Sequence, residues 1–320
     1  MKKVLFATTA LVATAGVASA QGVEVSGWAE MGILGGNTDN PLTVGIDESV
    51  TRFFTDIDVL FRMSGETDNG LSFGAGVDLD ENGAFTVNDD GGAFMFLSGN
   101  FGTITMGDTD GALDWALTEA GNIGNPGSIA DDETAHAGYL GSYGDGAYDG
   151  QILRYDNTFG GVGVALSVEM DDAGVRDSGF AVGLRYGMDM GGADVNFGIG
   201  YQFVDFDGAG TESDIVGVSA TVASNGFSAG VEYTQMNNSL MADITHIGLG
   251  LGYASGAFSV GANWGQYDVD GLGPDFSGFG LAAAYDLGGG ASIKAGYGVS
   301  DFDGLAPDAN TFSLGVAMSF

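Results

Sequence analysis

The feature that most constrains this chain is an alternation of apolar and polar residues that recurs in sixteen segments. In the first segment, Val23, Val25 and Met31 alternate with Glu24 and Glu30. Because successive side chains of a strand point to opposite faces, each such segment predicts a strand with one apolar and one polar face. The predicted strands are approximately 23–33, 50–64, 71–79, 93–99, 101–107, 151–159, 162–170, 179–190, 193–205, 214–224, 227–236, 243–254, 257–268, 277–287, 291–301 and 311–320.

The connections between these strands fall into two kinds. Short, glycine-rich turns such as 65–70 and 224–227 alternate with longer loops that carry clustered acids. A sixteen-stranded barrel is too wide for side chains to fill, so the apolar face of a soluble barrel would have nothing to pack against. A large secreted sandwich is disfavoured by the absence of disulfides. The pattern therefore predicts an all-β fold, a sixteen-stranded antiparallel transmembrane β-barrel whose apolar face meets lipid and whose lumen is wet.

Charged residues test this assignment of faces. Arg52, Arg62, Arg154, Arg185 and Lys294 all fall out of phase with their apolar neighbours, so each is predicted on the lumen face. An arginine or lysine on the lipid face near the midplane would cost about 2–4 kcal/mol. The same phase holds for eight strand acids, which are Glu30, Asp56, Asp58, Asp78, Glu169, Asp194, Glu232 and Asp286.

The first twenty residues predict export. Lys2 and Lys3 precede an apolar run that ends in Ala18-Ser19-Ala20, which is typical of a secretory signal peptide, residues 1–20, with residues 21–320 forming the barrel. Removal of this segment would leave six basic residues against 43 acids. Such acidity argues against nucleic acid as a partner. The absence of cysteine excludes thiol and disulfide chemistry.

One interval, 108–150, lacks the alternation. It is small, acidic and punctuated by glycine, and it is far longer than an ordinary connection. We interpret it as an insert that the strands enclose. The many glycines within strands are interpreted as residues that let the sheet bend and keep the lumen open.

The segment Phe101–Ala116, with sequence FGTITMGDTDGALDWA, carries a specific resemblance. A strand that ends in a Gly-Asp step and continues into a long acidic insert resembles the Gram-negative general diffusion porins, especially the sixteen-stranded porins of alphaproteobacteria of the Rhodobacter type. Supporting stretches are 63–74, 96–102 and 285–293, so the resemblance extends over the whole chain after the leader. It implies an outer-membrane location and a water-filled channel for passive diffusion of ions and small hydrophilic solutes.

The resemblance also implies that the third long loop folds inward and narrows the channel. The candidates for its acidic side are Asp108, Asp110, Asp114, Glu119, Asp131, Asp132 and Glu133. The candidates for an opposed basic wall are Arg52, Arg62, Arg154, Arg185 and Lys294. Opposed charges orient polar solutes, and the small number of basic residues favours cations.

Further implied partners are outer-membrane lipid and lipopolysaccharide, two other copies in a homotrimer, and the barrel-assembly machinery. The alternating last strand, which ends in Phe320, resembles the signal that directs outer-membrane proteins to that machinery. No cofactor is expected to be required. The Asp-x-Asp-Gly repeats at 205–208, 268–271 and 301–304 leave calcium open as a ligand, although they lack a complete twelve-residue calcium loop.

Three other functions were weighed. An enzyme is disfavoured because His136 and His246 belong to no recognisable nucleophile–base or zinc pattern. A structural or adhesive barrel would carry longer surface loops. A solute-specific channel would line its lumen with aromatic residues, of which the predicted lumen faces hold few, for example Trp28, Phe54 and Tyr267.

Overall fold

The computed structural model describes residues 22–37, 51–82, 87–88, 92–139, 141, 144, 151–170, 177–205, 212–238, 242–271, 275–304 and 307–320. The predicted signal peptide, residues 1–20, and residues 145–150 at the end of the insert lie outside these ranges. Among the residues described, no helix is long and apolar enough to cross a membrane.

Sixteen long strands and one short one make up the sheet. The first half of the chain contributes β1 (Gly22–Asn37), β2 (Arg52–Glu66), β3 (Ser72–Asn82), β4 (Val87–Asn88), β5 (Ala93–Gly99), β6 (Gly102–Gly107), β7 (Ile152–Phe159) and β8 (Val162–Glu169). The second half contributes β9 (Gly179–Asp189), β10 (Asp194–Asp205), β11 (Glu212–Ser224), β12 (Phe227–Asn238), β13 (Ile244–Ser255), β14 (Phe258–Val269), β15 (Phe276–Gly288), β16 (Ala291–Asp301) and β17 (Ala309–Ser319). The sixteen long strands confirm the predicted number.

The sheet closes on itself. Every long strand pairs antiparallel with its neighbours in sequence, and β1 also pairs with β17, so that Ile33 faces Leu314 on one side and Phe53 on the other. A closed sheet leaves no edge of unpaired backbone groups, which is the condition for a β-structure to cross the hydrocarbon layer.

Strand ends differ from the predicted ones where pairing is non-local. The sequence predicts a first strand that ends near Ile33, but β1 continues to Asn37 because Gly35, Gly36 and Asn37 pair with β17. Similarly, β3 continues to Asn82 because its last residues pair with both β2 and β4. Alternation of side chains weakens at these ends, so local sequence does not mark them.

The two faces of the wall have the expected character. Large apolar side chains project outward, including Phe53 at 91%, Met95 at 60% and Leu251 at 61% exposed. The opposite face is polar, and over much of the wall it is buried, as Glu232 and His246 illustrate. Burial of the polar face requires something inside the barrel.

Candidate functional site

The segment from Asp108 to Tyr139 lies inside the barrel, against the polar face of the wall. It contains a short helix, α1 (Ala112–Ala116), and a single 3-10 turn, Ala120–Asn122. The chain leaves β6, follows the wall past β8 to β17, and reaches β1, where Ile129 lies against Gly32. Residues 131–139, which we call the return limb, then run back along β16, β15 and β14. A single segment can touch the same face of so many strands only from the concave side.

Glycine residues on the wall make this path available. A methyl group at Gly183 would overlap the carbonyl oxygen of Ala112, and one at Gly250 would overlap that of Ala120. Other wall glycines that a side chain would push into the insert are Gly198, Gly200, Gly217, Gly230, Gly252, Gly261, Gly265, Gly278, Gly280, Gly296 and Gly298. We expected strand glycines to bend the sheet and widen the lumen; the structure instead uses these glycines to seat the insert directly on the wall backbone.

Apolar packing holds the first part of the insert. Leu113 and Ala112 are fully buried, and with Leu117 they join a cluster of wall side chains that includes Ile215 and Met236. Full burial of a leucine contributes about 1.5–3 kcal/mol, so the cluster favours one docked position for the helix.

Wall side chains accept hydrogen bonds from backbone N–H groups of the insert. The Ala112 N–H donates to Ser167 Oγ at 2.8 Å, the Thr118 N–H to Ser219 Oγ at 3.0 Å, and the Ala137 N–H to Ser300 Oγ at 3.0 Å. The Ala120 N–H donates to Glu232 Oε2 at 3.2 Å. Buried backbone donors must find such partners. The alternation places these serines and this glutamate on the lumen face, but nothing in their spacing indicates what they bind.

Two of the predicted basic wall residues lie at the root of the insert. Arg154 Nη1 donates to the Asp110 carbonyl oxygen at 2.6 Å and lies 3.8 Å from its carboxylate, while Arg154 Nε lies 3.4 Å from Asp156. The Arg185 guanidinium stacks on Trp115 with its central carbon 3.7 Å from the ring centroid. Both arginine side chains therefore bind the insert and hold it against the wall. Trp115 is not among the site residues predicted from the sequence.

Lys294 lies where the insert meets β1. Its Nζ is 3.3 Å from Glu30 Oε1, and a side chain added at Gly127 would contact it. Asp131 is exposed on the insert close by. Displacement of solvent by the surrounding protein raises the pKa of Asp131, and the Lys294 charge partly opposes that rise. Lys294 is thus the one predicted basic residue that the structure brings close to predicted acids at the far end of the insert.

Arg52 and Arg62 lie on the part of the wall that the insert leaves uncovered. Both are exposed, and Arg62 pairs in register with Glu24 of β1. The same lumen face carries acids at Glu30, Asp56, Asp58 and Asp78. The uncovered wall is therefore of mixed charge, as the predicted lumen positions of these arginines and acids imply.

The predicted acidic residues separate into two groups. Asp108, Asp110 and Asp131 are exposed, and Asp114 and Glu119 are partly exposed. Asp132 and Glu133 are buried, at 3% and 1% exposure, between the return limb and the wall. Glycines at the facing positions of β15 and β16 let the limb press these two side chains against the wall, and their assignment to the acidic side of the opening stays a prediction.

Glu119 has neutral hydrogen-bond partners. Asn122 Nδ2 and the Tyr139 hydroxyl both donate to its Oε2, at 3.1 Å and 3.2 Å. Desolvation by the insert raises the pKa of Glu119, and the hydrogen bond from Tyr139 partly opposes this. Its charge is therefore held in place by neutral donors.

The geometry defines a class of protein: a closed membrane barrel whose lumen is narrowed by a docked internal segment. A model of the Gram-negative porin family matches residues 7–305, and the chain belongs to that family. It is an outer-membrane diffusion channel, and the family consists of channels rather than enzymes.

Individual relatives support the same conclusion. A porin of Rhodobacter capsulatus is 28% identical over 289 residues, covering 84% of this chain and 91% of that porin. A porin structure refined at 1.8 Å is similar with a TM-score of 0.72 at 25% identity, covering 93% of this chain and 100% of the other. A mutant of Rh. blastica porin has a TM-score of 0.67 at 20% identity, again with 93% and 100% coverage, which shows the fold.

Proposed function

We propose that the insert, residues 108–150, is the constriction of the channel and that the opening prefers small hydrophilic cations. The observation that carries this proposal is that most of the basic side chains on the wall are paired with a neighbouring side chain. Of the five basic residues on described strands, Arg154, Arg185 and Lys294 are each engaged by a neighbouring side chain.

Acidic side chains supply the remaining electric field in the lumen. Glu119 lies on the insert with neutral partners, and Asp131 is exposed at the start of the return limb, on the side of Lys294. Across the lumen, the carboxylates of the uncovered wall outnumber Arg52 and Arg62. A low-dielectric wall with an excess of one charge concentrates the opposite ion. Cations are therefore expected to enter more readily than anions.

Planar-bilayer recording under a potassium chloride gradient tests both parts. Stepwise conductance with a reversal potential of the sign set by potassium is expected. Glu119→Gln should shift the reversal potential towards zero, whereas the matched control Glu66→Gln, at an exposed turn-proximal position on β2, should leave it unchanged. An anion-selective reversal potential would refute the cation preference without touching the channel itself.

The proposed assembly is a homotrimer in a lipopolysaccharide-containing outer membrane, reached through the barrel-assembly machinery. The support for a partner surface is an outward apolar groove of about 900 Å³ that Met63, Phe73, Met95, Leu97 and Met106 line. Native electrophoresis of the detergent-solubilised protein, with chemical cross-linking, tests this: a monomer alone at all concentrations would contradict it.

Calcium binding is a separate proposal. No group of three or more carboxylate or histidine side chains in the described part of the chain is arranged to hold a metal ion. The aspartates at 268, 270, 301 and 303 nevertheless stand at strand ends, where bridging of anionic lipid headgroups by a divalent ion is chemically reasonable. Isothermal titration in the millimolar range is the test, and an absence of heat would end the proposal.

A solute-specific channel is favoured by one observation. Besides Trp28 and Phe54, the lumen face carries Phe94 and Phe96, since their neighbour Met95 points outward. These two rings lie over Gly76 and Gly74 of β3. Saturation of conductance by an aromatic solute would support specificity, and a strictly linear dependence on solute concentration would favour general diffusion.

A further inference from the structure

The two histidines of the chain meet at one residue of the insert. His246 is fully buried on β13 and His136 is 6% exposed on the return limb. The N–H of Gly138 donates to His136 Nδ1 at 3.2 Å, and the carbonyl oxygen of Gly138 lies 2.8 Å from His246 Nε2. Histidines that are 110 positions apart in sequence thus hold the two backbone groups of a single glycine.

The hydrogen bonds define the protonation state of both rings. A carbonyl only accepts, so His246 carries its proton on Nε2, and its Nδ1 is buried without a partner among the described residues. Asn263 Nδ2 donates to the Glu133 carbonyl at 2.7 Å, which leaves Asn263 Oδ1 to accept from His136 Nε2. His136 Nδ1 must then be unprotonated to accept from Gly138. Both histidines are neutral in the docked insert.

We propose that His136, His246 and Asn263 form a pH-sensitive lock that positions the return limb, and that protonation of the histidines releases it. This rests on the proposed role of the insert as the constriction. A proton on His136 Nδ1 would place two donors, Nδ1–H and the Gly138 N–H, against each other. A proton on His246 Nδ1 would create a buried cation beside the first.

The direction of the effect follows from linkage. Burial lowers the pKa of His136 below its ordinary value of 6.5, with the His246 ring acting in the same direction and the Asn263 hydrogen bond opposing them. The released limb therefore binds a proton more readily than the docked limb. Docking is fully favourable above about pH 6.5 and weakens as the pH falls through that value.

Other titratable groups face the lock. Glu133, Glu119 and Tyr139 lie on the insert, Glu232 on β12, and Tyr267 on β14 with its ring centroid 4.6 Å from that of His246. Burial raises the pKa of Glu133, so its protonation favours the docked limb. The carboxyl groups thus act against the histidines, and removal of Glu133 should not diminish the release.

A label reports limb position independently of conduction. The chain has no cysteine, so Ala135→Cys gives a single attachment point for a spin label at an exposed residue of the return limb. In detergent, the label is expected to become more mobile between pH 7.5 and pH 5, with a midpoint below 6.5. Unchanged mobility over this range would overturn the lock.

Variants connect the lock to the channel. His246→Gln retains an amide donor for the Gly138 carbonyl but has no charge to gain, so it should conduct at pH 7.5 and show a smaller pH response of the label, because His136 can still be protonated. His136→Gln removes that other titrating ring and is the second variant if the first does not fold. Glu133→Gln should keep the response. If His246→Gln and His136→Gln both retained the full pH response, the proposal would be refuted. An absence of conductance for the wild type at pH 7.5 would instead refute the channel assignment, because the label readout would still stand.

Discussion

At the scale of single residues, function depends on which side chains are missing as much as on those present. Wall glycines admit the insert because each lacks the Cβ that would strike its backbone. Gly183 and Gly250 show this most directly, since each faces a carbonyl oxygen of the insert. The position of the insert therefore depends on residues of the wall as well as on the acidic segment itself.

Gly250→Val is expected to displace the insert towards the lumen axis and lower the single-channel conductance. The matched control is Leu249→Val, the next residue on β13, whose side chain points outward and is 45% exposed. Barrel integrity is checked by heat-modifiable electrophoretic mobility. Equal conductance in the two variants would mean that the insert does not depend on close contact with this glycine.

Acidification is expected to reduce cation preference through the insert carboxylates. Burial raises the pKa of Glu119 above its ordinary value of 4.5. Its negative charge is therefore lost, as the pH falls, earlier than for an ordinary glutamate. Reversal potentials measured from pH 8 to pH 4 should fall towards zero, and Glu119→Gln should remove the part of the change that begins above pH 4.5. A pH-independent reversal potential would contradict this.

At the scale of elements, the insert is a small unit docked on a rigid wall. Its helix has only five residues, which is too short to be stable alone, so packing against β8, β9 and β10 must hold it. The root is fixed by Arg154 and Arg185, and the far end by the return limb. Each contact is non-local in sequence.

Leu113→Ala is expected to loosen this unit without unfolding the barrel. Leu113 is fully buried between α1 and the wall, and such a truncation costs about 2–5 kcal/mol. That cost falls on docking of the insert, so larger and noisier conductance is expected. The control Leu281→Ala, 45% exposed on the outer face of β15, should leave conductance unchanged. Quiet, wild-type conductance in Leu113→Ala would place the insert outside the permeation path.

At the scale of the whole molecule, the barrel separates an apolar exterior from a charged interior. Leu249→Arg should therefore destabilise the barrel in lipid by about 2–4 kcal/mol if the residue lies near the midplane. Asn196→Arg, at an exposed lumen position of β10, should cost far less. Urea-induced unfolding in vesicles compares the two, and equal destabilisation would contradict the assignment of faces.

Much of this architecture could be predicted because its cause is local. Alternation along Val23–Ile33 or Phe53–Met63 reports a strand and its two environments, and repetition of that pattern sixteen times implies closure in a membrane. The same phase placed Arg154 and Lys294 correctly on the lumen face. Strand ends were less accurate, since β1 is extended by pairing with residues near the end of the chain.

The sequence by itself therefore determined the barrel, its faces and the existence of one enclosed acidic segment, because each is encoded in the spacing of neighbouring residues. Only the tertiary structure decided how that segment lies. It buried Asp132 and Glu133, turned Arg154 and Arg185 into anchors of the insert, and brought His136 to His246. These arrangements follow from close approach between residues that are far apart in the chain, for which alternation carries no signal.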